Sequence, residues 1–328
     1  MQIEHLTPPA DMLHSPRIPD LVLRARPEDG GAISIICALW WTRVPALAGE
    51  RIGIIGYFCA GETSADSAAA FLADTGSAAA LLTAAADELA TRGCTLAVGP
   101  MDGNTWENYR AVTERGAEPP FFMEPDTPAA WPEIFAAADF EPIAHYTSTL
   151  IDDLAHSDPR VPAARERFLC DGVEFRSIRM ESFEDELRRI YAVSRVSFAA
   201  NFLYTEISED EFIRQYTPYR DKIRPEIVIL AERADAPVGF VFGIPDYAEA
   251  MRGEPIRTLV AKTMAVLPER RLAGLGVVLA DILHRNARSL GLTRAIHALQ
   301  HESNLVRNMT SVMGKVMRRY ALFGKRLV

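Results

Sequence analysis

The 328-residue chain is 48% hydrophobic and 24% charged, an ordinary globular composition whose length suits two domains with a core each. A formal net charge of -9 and a pI near 5.4 exclude the clustered basic excess with which proteins meet nucleic acid, so no nucleic-acid partner is expected. The four cysteines, Cys37, Cys59, Cys94 and Cys170, are widely spaced in apolar surroundings and have no zinc-ligand spacing, so they read as reduced thiols with no metal centre. The N-terminus lacks a basic and an apolar region of signal-peptide type, and no window approaches the ~18 apolar residues of a membrane span. A soluble, cytoplasmic protein without a membrane partner is the expectation.

In chain order, "AISIICALWW" and "RIGIIGYF" read as two apolar strands joined by the turn "PALAGE". From Ser64 to Arg92 an alanine-rich stretch broken near "DTGS" predicts two helices, the second ending on Gly93. "CTLAVGP" reads as a buried strand. "GPMDGNTWENYR" and "EPPFFMEPDTPAAWPEIF" read as an ordered irregular connection, because their many large apolar groups would otherwise stand in water. "HYTSTLI" closes the first unit as a strand.

The charged stretch over 152–169 is the expected linker, dividing a domain over 1–151 from one over 170–328. The second unit opens with strand "VEFRSIRM" and helix "FEDELRRIYAVSRVSF". The helix "SEDEFIRQY" follows, where Ser208 and Glu211 form a capping box. Strands "EIVILAER" and "VGFVFGIPD" read as a hairpin. Then come "RTLVAKTMAVLP", the turn "RRLAGLG", a helix over 277–290, strand "TRAIHAL", a helix from Ser303 to Met313, and a final strand pair in "KVMRRYALFGKRLV". This order gives an α+β fold: mixed, mostly antiparallel sheets flanked by helices, with one βαβ unit. "ADELATRGCTLAVGPMDGNTW" and "HRNARSLGLTRAIHALQHESN" align as helix, Gly, strand and Asn-bearing loop, so the halves read as a duplication in which only the C-terminal copy keeps the glycine turn.

That turn is the candidate ligand site. A pyrophosphate is well held by backbone N–H groups converging at a helix N-terminus, where the macrodipole adds a favourable field. Gly274 and Gly276 remove Cβ atoms where the backbone must come near such a ligand, and Arg270 and Arg271 offer charge-assisted contacts. A P-loop would need Gly-Lys-Ser/Thr, and a dinucleotide fingerprint would need a third glycine where Leu279 stands. With "KTMAVLP" before it and "ESNLVRNMTSVMGK" after the next strand, the pattern resembles the acyl-CoA motif of the GCN5-related N-acetyltransferase (GNAT) superfamily, over about 160 residues; the first half resembles the partner domain of tandem bacterial GNAT-like proteins.

The resemblance implies two GNAT-like domains, the first degenerate, and acetyl-CoA or another acyl-CoA as donor. Met264, Ala265 and Val266 would pair with the pantetheine amides, Arg271, Leu272, Ala273, Gly274, Leu275 and Gly276 would cradle the pyrophosphate, and Asn304 would lie by the pantetheine arm. It also implies transfer of the acyl group to a small-molecule amine by direct attack. The family's usual glutamate base is replaced on this strand by Lys262, and its tyrosine acid falls near Thr310. His301 and Glu302, at the end of the next strand, are the catalytic candidates, whereas His297 reads as a core histidine and Tyr320 as a packing residue. Asn201, Tyr204, Asp246 and Tyr247 are the candidate acceptor-pocket residues, Asp246 as a partner for a cationic amine. Two other readings stay open: a silent acyl-CoA-binding or sensing module that has lost acid and base, and a transferase whose donor is an acyl carrier protein met by Arg270, Arg271, Arg318 and Arg319.

Overall fold

The computed structural model describes residues 2–8, 18–26, 35–60, 75–155, 158–303 and 314–328. The first half contains β1 (Gln2–Leu6), β2 (Leu21–Arg26), β3 (Ile35–Trp40), β4 (Ile52–Ala60), α1 (Thr75–Thr91), β5 (Leu96–Gly99), β6 (Ala111–Glu114), α2 (Trp131–Ala137) and β7 (Glu141–Ile151). The second contains α3 (Val161–Cys170), β8 (Val173–Ser177), α4 (Phe183–Ser197), α5 (Glu209–Tyr216), β9 (Val228–Arg233), β10 (Ala236–Pro245), α6 (Tyr247–Met251), β11 (Thr258–Val266), α7 (Leu275–Ser289), β12 (Arg294–His301) and β13 (Lys315–Arg326). The α+β plan is as the sequence predicts: β4 and β5 pair in parallel around α1, β11 and β12 pair in parallel around α7, and the other ladders are antiparallel.

All strands join one sheet in the order β1-β2-β3-β4-β5-β13-β7-β12-β11-β10-β9-β8, with β6 on β13. The halves exchange their last strands. β7, from the first half, pairs with β12 of the second, while β13, from the second half, pairs with β5 of the first. A cut between residues 151 and 152 therefore divides the chain and leaves the sheet whole.

Several local expectations hold for local reasons. Gly93 ends α1 at φ +77. Ser208 and Glu211 form the reciprocal capping box of α5. In α7, Leu275, Leu279 and Leu283 repeat every four residues on one fully buried face, each worth about 1.5–3 kcal/mol of burial. Other expectations change. The supposed linker holds α3, whose Val161 is buried and whose Phe168 is part of the second half's core. The final strand pair is one continuous 12-residue strand, β13, because its two ends serve the two halves. β1 and β2 were not anticipated. The first of the two alanine-rich helices and the helix from Ser303 to Met313 fall mainly on residues outside those described.

Candidate active site

β11 and β12 pair only from Thr258↔Arg294 to Ala261↔His297 and then splay apart. On its other edge β11 stays on β10 up to Val266↔Gly239, with one extra residue, Lys262, between Ala261 and Thr263. The bulge twists the strand at the mouth of the splay. Beyond it, Met264, Ala265 and Val266 are bonded to β10 on one edge, leaving the edge facing the splay without a strand partner. There the Ser197 hydroxyl donates to the Val266 carbonyl at 3.1 Å.

The strand runs directly into the glycine turn. Arg270–Leu272 form one 3₁₀ turn, and Gly274 caps α7 with φ +89, a left-handed conformation in which any Cβ is strained. Gly276 has an ordinary φ, but a Cβ there would stand 3.3 Å from the Met264 sulfur, so the helix N-terminus lies close against the open strand. The orphan N–H groups of the first turn of α7 thus face the cleft without side chains in the way. Such a cradle fits a pyrophosphate on both shape and charge.

Strand edge, bulge and turn line a cleft of about 1180 Å³. Of the residues expected to hold the donor, Met264, Ala265, Val266, Leu272, Ala273, Gly274 and Gly276 line it. Leu275 is wholly buried in the core under α7, and Arg271 is absent from the wall and paired with Glu269, its Nε 2.6 Å from the carboxylate. Asn304 and Thr310 lie outside the described residues. A cation unforeseen in the sequence stands nearby. Arg167, on α3 in what reads as linker, donates to the Ala273 carbonyl at 2.8 Å.

The catalytic candidates separate. His301 lines the cleft, with Nδ1 2.7 Å from the Ser303 hydroxyl and its ring stacked on Phe202. Burial, with Arg110 and His145 nearby, holds its pKa below the usual imidazole value against the pull of Glu302. Glu302 instead accepts from the His145 backbone at 3.4 Å and is absent from the cleft wall. His297 is buried in the core with its Nε2 2.9 Å from His284 Nε2; burial pushes the pair to about 3 and about 4, so both rings stay neutral. Tyr320 is buried too, its hydroxyl bonded to Glu124 and 3.0 Å from Ser148.

The acceptor candidates separate as well. Asn201 and Tyr204 line the cleft, whereas Asp246 and Tyr247 do not. Asp246 is buried, caps α6 and accepts a 2.7 Å bond from Phe122 N; the Tyr247 ring packs on Phe122 and its hydroxyl donates to Lys222 O. These two residues clamp a first-half segment onto the second half. The four arginines of the carrier-protein reading do not share a face, since Arg318 is fully buried and Arg319 pairs with Glu114.

The first half supplies the opposite wall. Trp106, Tyr109, Arg110, Met123, Glu124 and Tyr146 all face the cleft. Trp106 donates to Thr205 O at 2.8 Å, Gln215 donates to Trp106 O at 2.7 Å, and Lys262 Nζ donates to Met123 O at 2.8 Å. In sequence, "GPMDGNTWENYR" and "EPPFFMEP" signal order and the likeness to a tandem partner domain but no cleft wall, for which their aromatic richness was the one available hint.

The equivalent splay in the first half is closed by its own chain. β4 and β5 pair only over 52–54 with 96–98. Next to that, Met101 N donates to Ile55 O at 2.9 Å, and Asp102 accepts from Tyr57 N at 2.7 Å. Gly56 is required there, because a Cβ would sit 2.0 Å from the Met101 carbonyl. The strand edge that stays open in the second half is thereby occupied in the first.

Among the described residues no cluster of three metal-ligating side chains occurs, and no helix is long and apolar enough to cross a membrane. Compared by sequence, the chain matches no family model and no curated protein. Compared by structure, it is similar to the GCN5-related glucosamine N-acetyltransferase region of a fungal multi-domain β-N-acetylglucosaminidase, with TM-score 0.53 and 13% identity over 93% of this chain. The chain spans 33% of that protein's length. It is also similar to a GCN5-related N-acetyltransferase from Sphaerobacter thermophilus, with TM-score 0.50 and 10% identity, covering 95% of this chain and 82% of that one. A conserved Enterococcus faecalis protein described as a probable N-acyltransferase matches with TM-score 0.50 and 10% identity over 94% of this chain and 62% of its own. With both parallel strand pairs splayed and the second running into a glycine turn, the chain has the fold of the GCN5-related N-acetyltransferases, present twice within one sheet.

Proposed function

We propose that the chain is an N-acyltransferase that moves an acyl group, acetyl in the simplest case, from acyl-CoA to a small-molecule amine, and that only its second half binds the donor. The observation carrying this reading is the unpaired edge of β11 leading into the N-terminus of α7 at Gly274. An extended arm bearing amides can add to that edge as a strand while its diphosphate meets the helix N–H groups. Among the described residues of the first half the corresponding edge is taken by Met101 and Asp102.

In the reaction the amine nitrogen attacks the thioester carbonyl, the C–N bond forms, the C–S bond breaks, and the amine's proton leaves as the thiolate takes one up. His301, neutral at pH 7 and on the cleft wall, is the base this reading assigns. Asn201 and Tyr204 belong to the acceptor side of the cleft. CoA-thiol release from acetyl-CoA, measured with a panel of primary amines, tests the proposal. Amine-dependent release above background is expected, whereas CoA binding without any turnover would favour the silent-module reading.

A further inference from the structure

Two cations face the cleft, Arg110 buried and Lys262 partly buried, and among the described residues neither is paired with a carboxylate. Arg110 is 4% exposed, and its guanidinium lies between two rings, 3.7 Å from the centroid of Tyr109 and 4.0 Å from that of Tyr146. Of its donors only Nη1 is used among the described residues, on Leu299 O at 3.3 Å, and Nε is buried without a partner. Lys262, at the bulge of β11, uses one of its three donors on Met123 O. Among the described residues neither side chain has a carboxylate within 4.0 Å, although surface arginines of the same chain are widely paired.

Two of the three acidic groups on the cleft wall are engaged by other cations. The Glu124 carboxylate stands 2.7 Å from Arg318 Nε and bonds the Tyr320 hydroxyl. Glu269 is held by Arg271 at the phosphate end. Glu107 lies on the first-half loop beside Asp102, whose carboxyl it helps to raise. Arg110 and Lys262 are thus left without a carboxylate at ion-pair distance in a partly desolvated wall, a costly arrangement unless an anion completes it. The donor's diphosphate does not meet this need. The strand rise puts Lys262 about 13 Å from Val266, before the chain has even entered the turn, so the two positive sites serve different anions.

We propose that the acceptor is an amino-carboxylate whose carboxylate is bound by Arg110 and Lys262. This deepens the acyl-transfer reading and rests on it for the identity of the reacting amine. Arg110 is pre-organised for the task, since its planar group is already fixed by two rings and one carbonyl before any ligand arrives. The arrangement also assigns the first half a role: it supplies one of the two cations, through a left-handed residue at φ +73 that turns the side chain into the cleft.

The test is equilibrium binding, measured by titration calorimetry on the CoA-saturated full chain, with matched pairs: alanine and ethylamine, phenylalanine and 2-phenylethylamine, lysine and 1,5-diaminopentane. For at least one pair the carboxylated member should bind tenfold or more tightly than its partner. Arg110→Gln and Lys262→Met should each remove most of that preference while leaving CoA affinity within twofold of the parent. A preference for the uncarboxylated member in every pair, equal binding within every pair, or no binding of any amino acid would overturn the inference. Carboxylate-selective binding without thiol release would leave the carboxylate site at Arg110 and Lys262 standing and contradict the transfer reading alone. In a turnover assay, a rise in KM confined to carboxylated acceptors marks the anion role. An equal fall in kcat for all acceptors would instead assign Lys262 to the transition state and overturn it.

Discussion

Lys262 Nζ donates to the Met123 carbonyl at 2.8 Å, so the one extra residue in the central strand of the second half is tied to a loop of the first. The contact has a measurable cost. Burial and the neighbouring Arg110 push the lysine down to about 8, against the attraction of Glu124. At this site the unfolded chain, with an ordinary lysine, therefore holds more protons between about pH 8 and 10.5, and the contribution of Lys262 to stability should rise across that window, by about 1–3 kcal/mol. Chemical denaturation from pH 7.5 to 10.5 checks this. Lys262→Met should flatten that rise, and an identical slope in both proteins would contradict the shift.

Gly274 and Gly276 should fail in different ways. Gly274→Ala meets open space, with only Arg167 Nη2 at 3.8 Å, but must hold a left-handed φ. It should cost about 1–2 kcal/mol of stability, and Gly274→Asn, which tolerates that conformation, should cost less. Gly276→Ala is unstrained in φ but crowds Met264 and places a methyl in the cradle. It should leave stability within about 1 kcal/mol and weaken CoA binding at least tenfold, measured by titration calorimetry alongside a thermal melt.

Glu124 and Tyr320 form a second contrast. Arg318 is fully buried; its Nε forms an ion pair with Glu124 at 2.7 Å, and its terminal nitrogens donate to the carbonyls of Arg115, Glu118 and Pro119. Glu124→Ala strands that cation and should cost about 3–5 kcal/mol. Tyr320→Phe removes one hydroxyl from a chain running through Ser148 to Leu299 N, and should cost about 1 kcal/mol. Urea denaturation of both variants reads the difference.

The acid limb of the rate profile should belong to His301. Its pKa lies below the usual imidazole value, so the base form persists at mildly acidic pH and activity should fall only below the ordinary histidine range. His301→Gln should lower kcat by about 10²-fold or more and abolish that limb. A profile that keeps it would move the base elsewhere.

What the sequence made legible was local and periodic. The capping box at Ser208, the buried face of α7 and the turn at Gly274 all follow from spacing, and each stands where its residues put it. What stayed hidden was long-range. Nothing in "KVMRRYALFGKRLV" states that β13 must reach the first half's β5, and nothing near residue 110 states that its guanidinium will lie between rings 37 residues apart in sequence, at Tyr109 and Tyr146. Asp246 shows the same limit from the other side. Its acidity suggested an amine partner, but a buried carboxylate takes whatever donors packing supplies, here Phe122 N and its own helix cap.

The account rests on the second half holding an acyl-CoA along β11 and at Gly274. Titration of the full chain with acetyl-CoA and with CoA tests it most directly. One site per chain is predicted, lost or much weakened in Gly276→Ala and untouched by Gly56→Ser wherever that variant folds. No heat of binding at about 100 μM ligand, where a micromolar site would be saturated, or a site that survives Gly276→Ala unchanged, would contradict it.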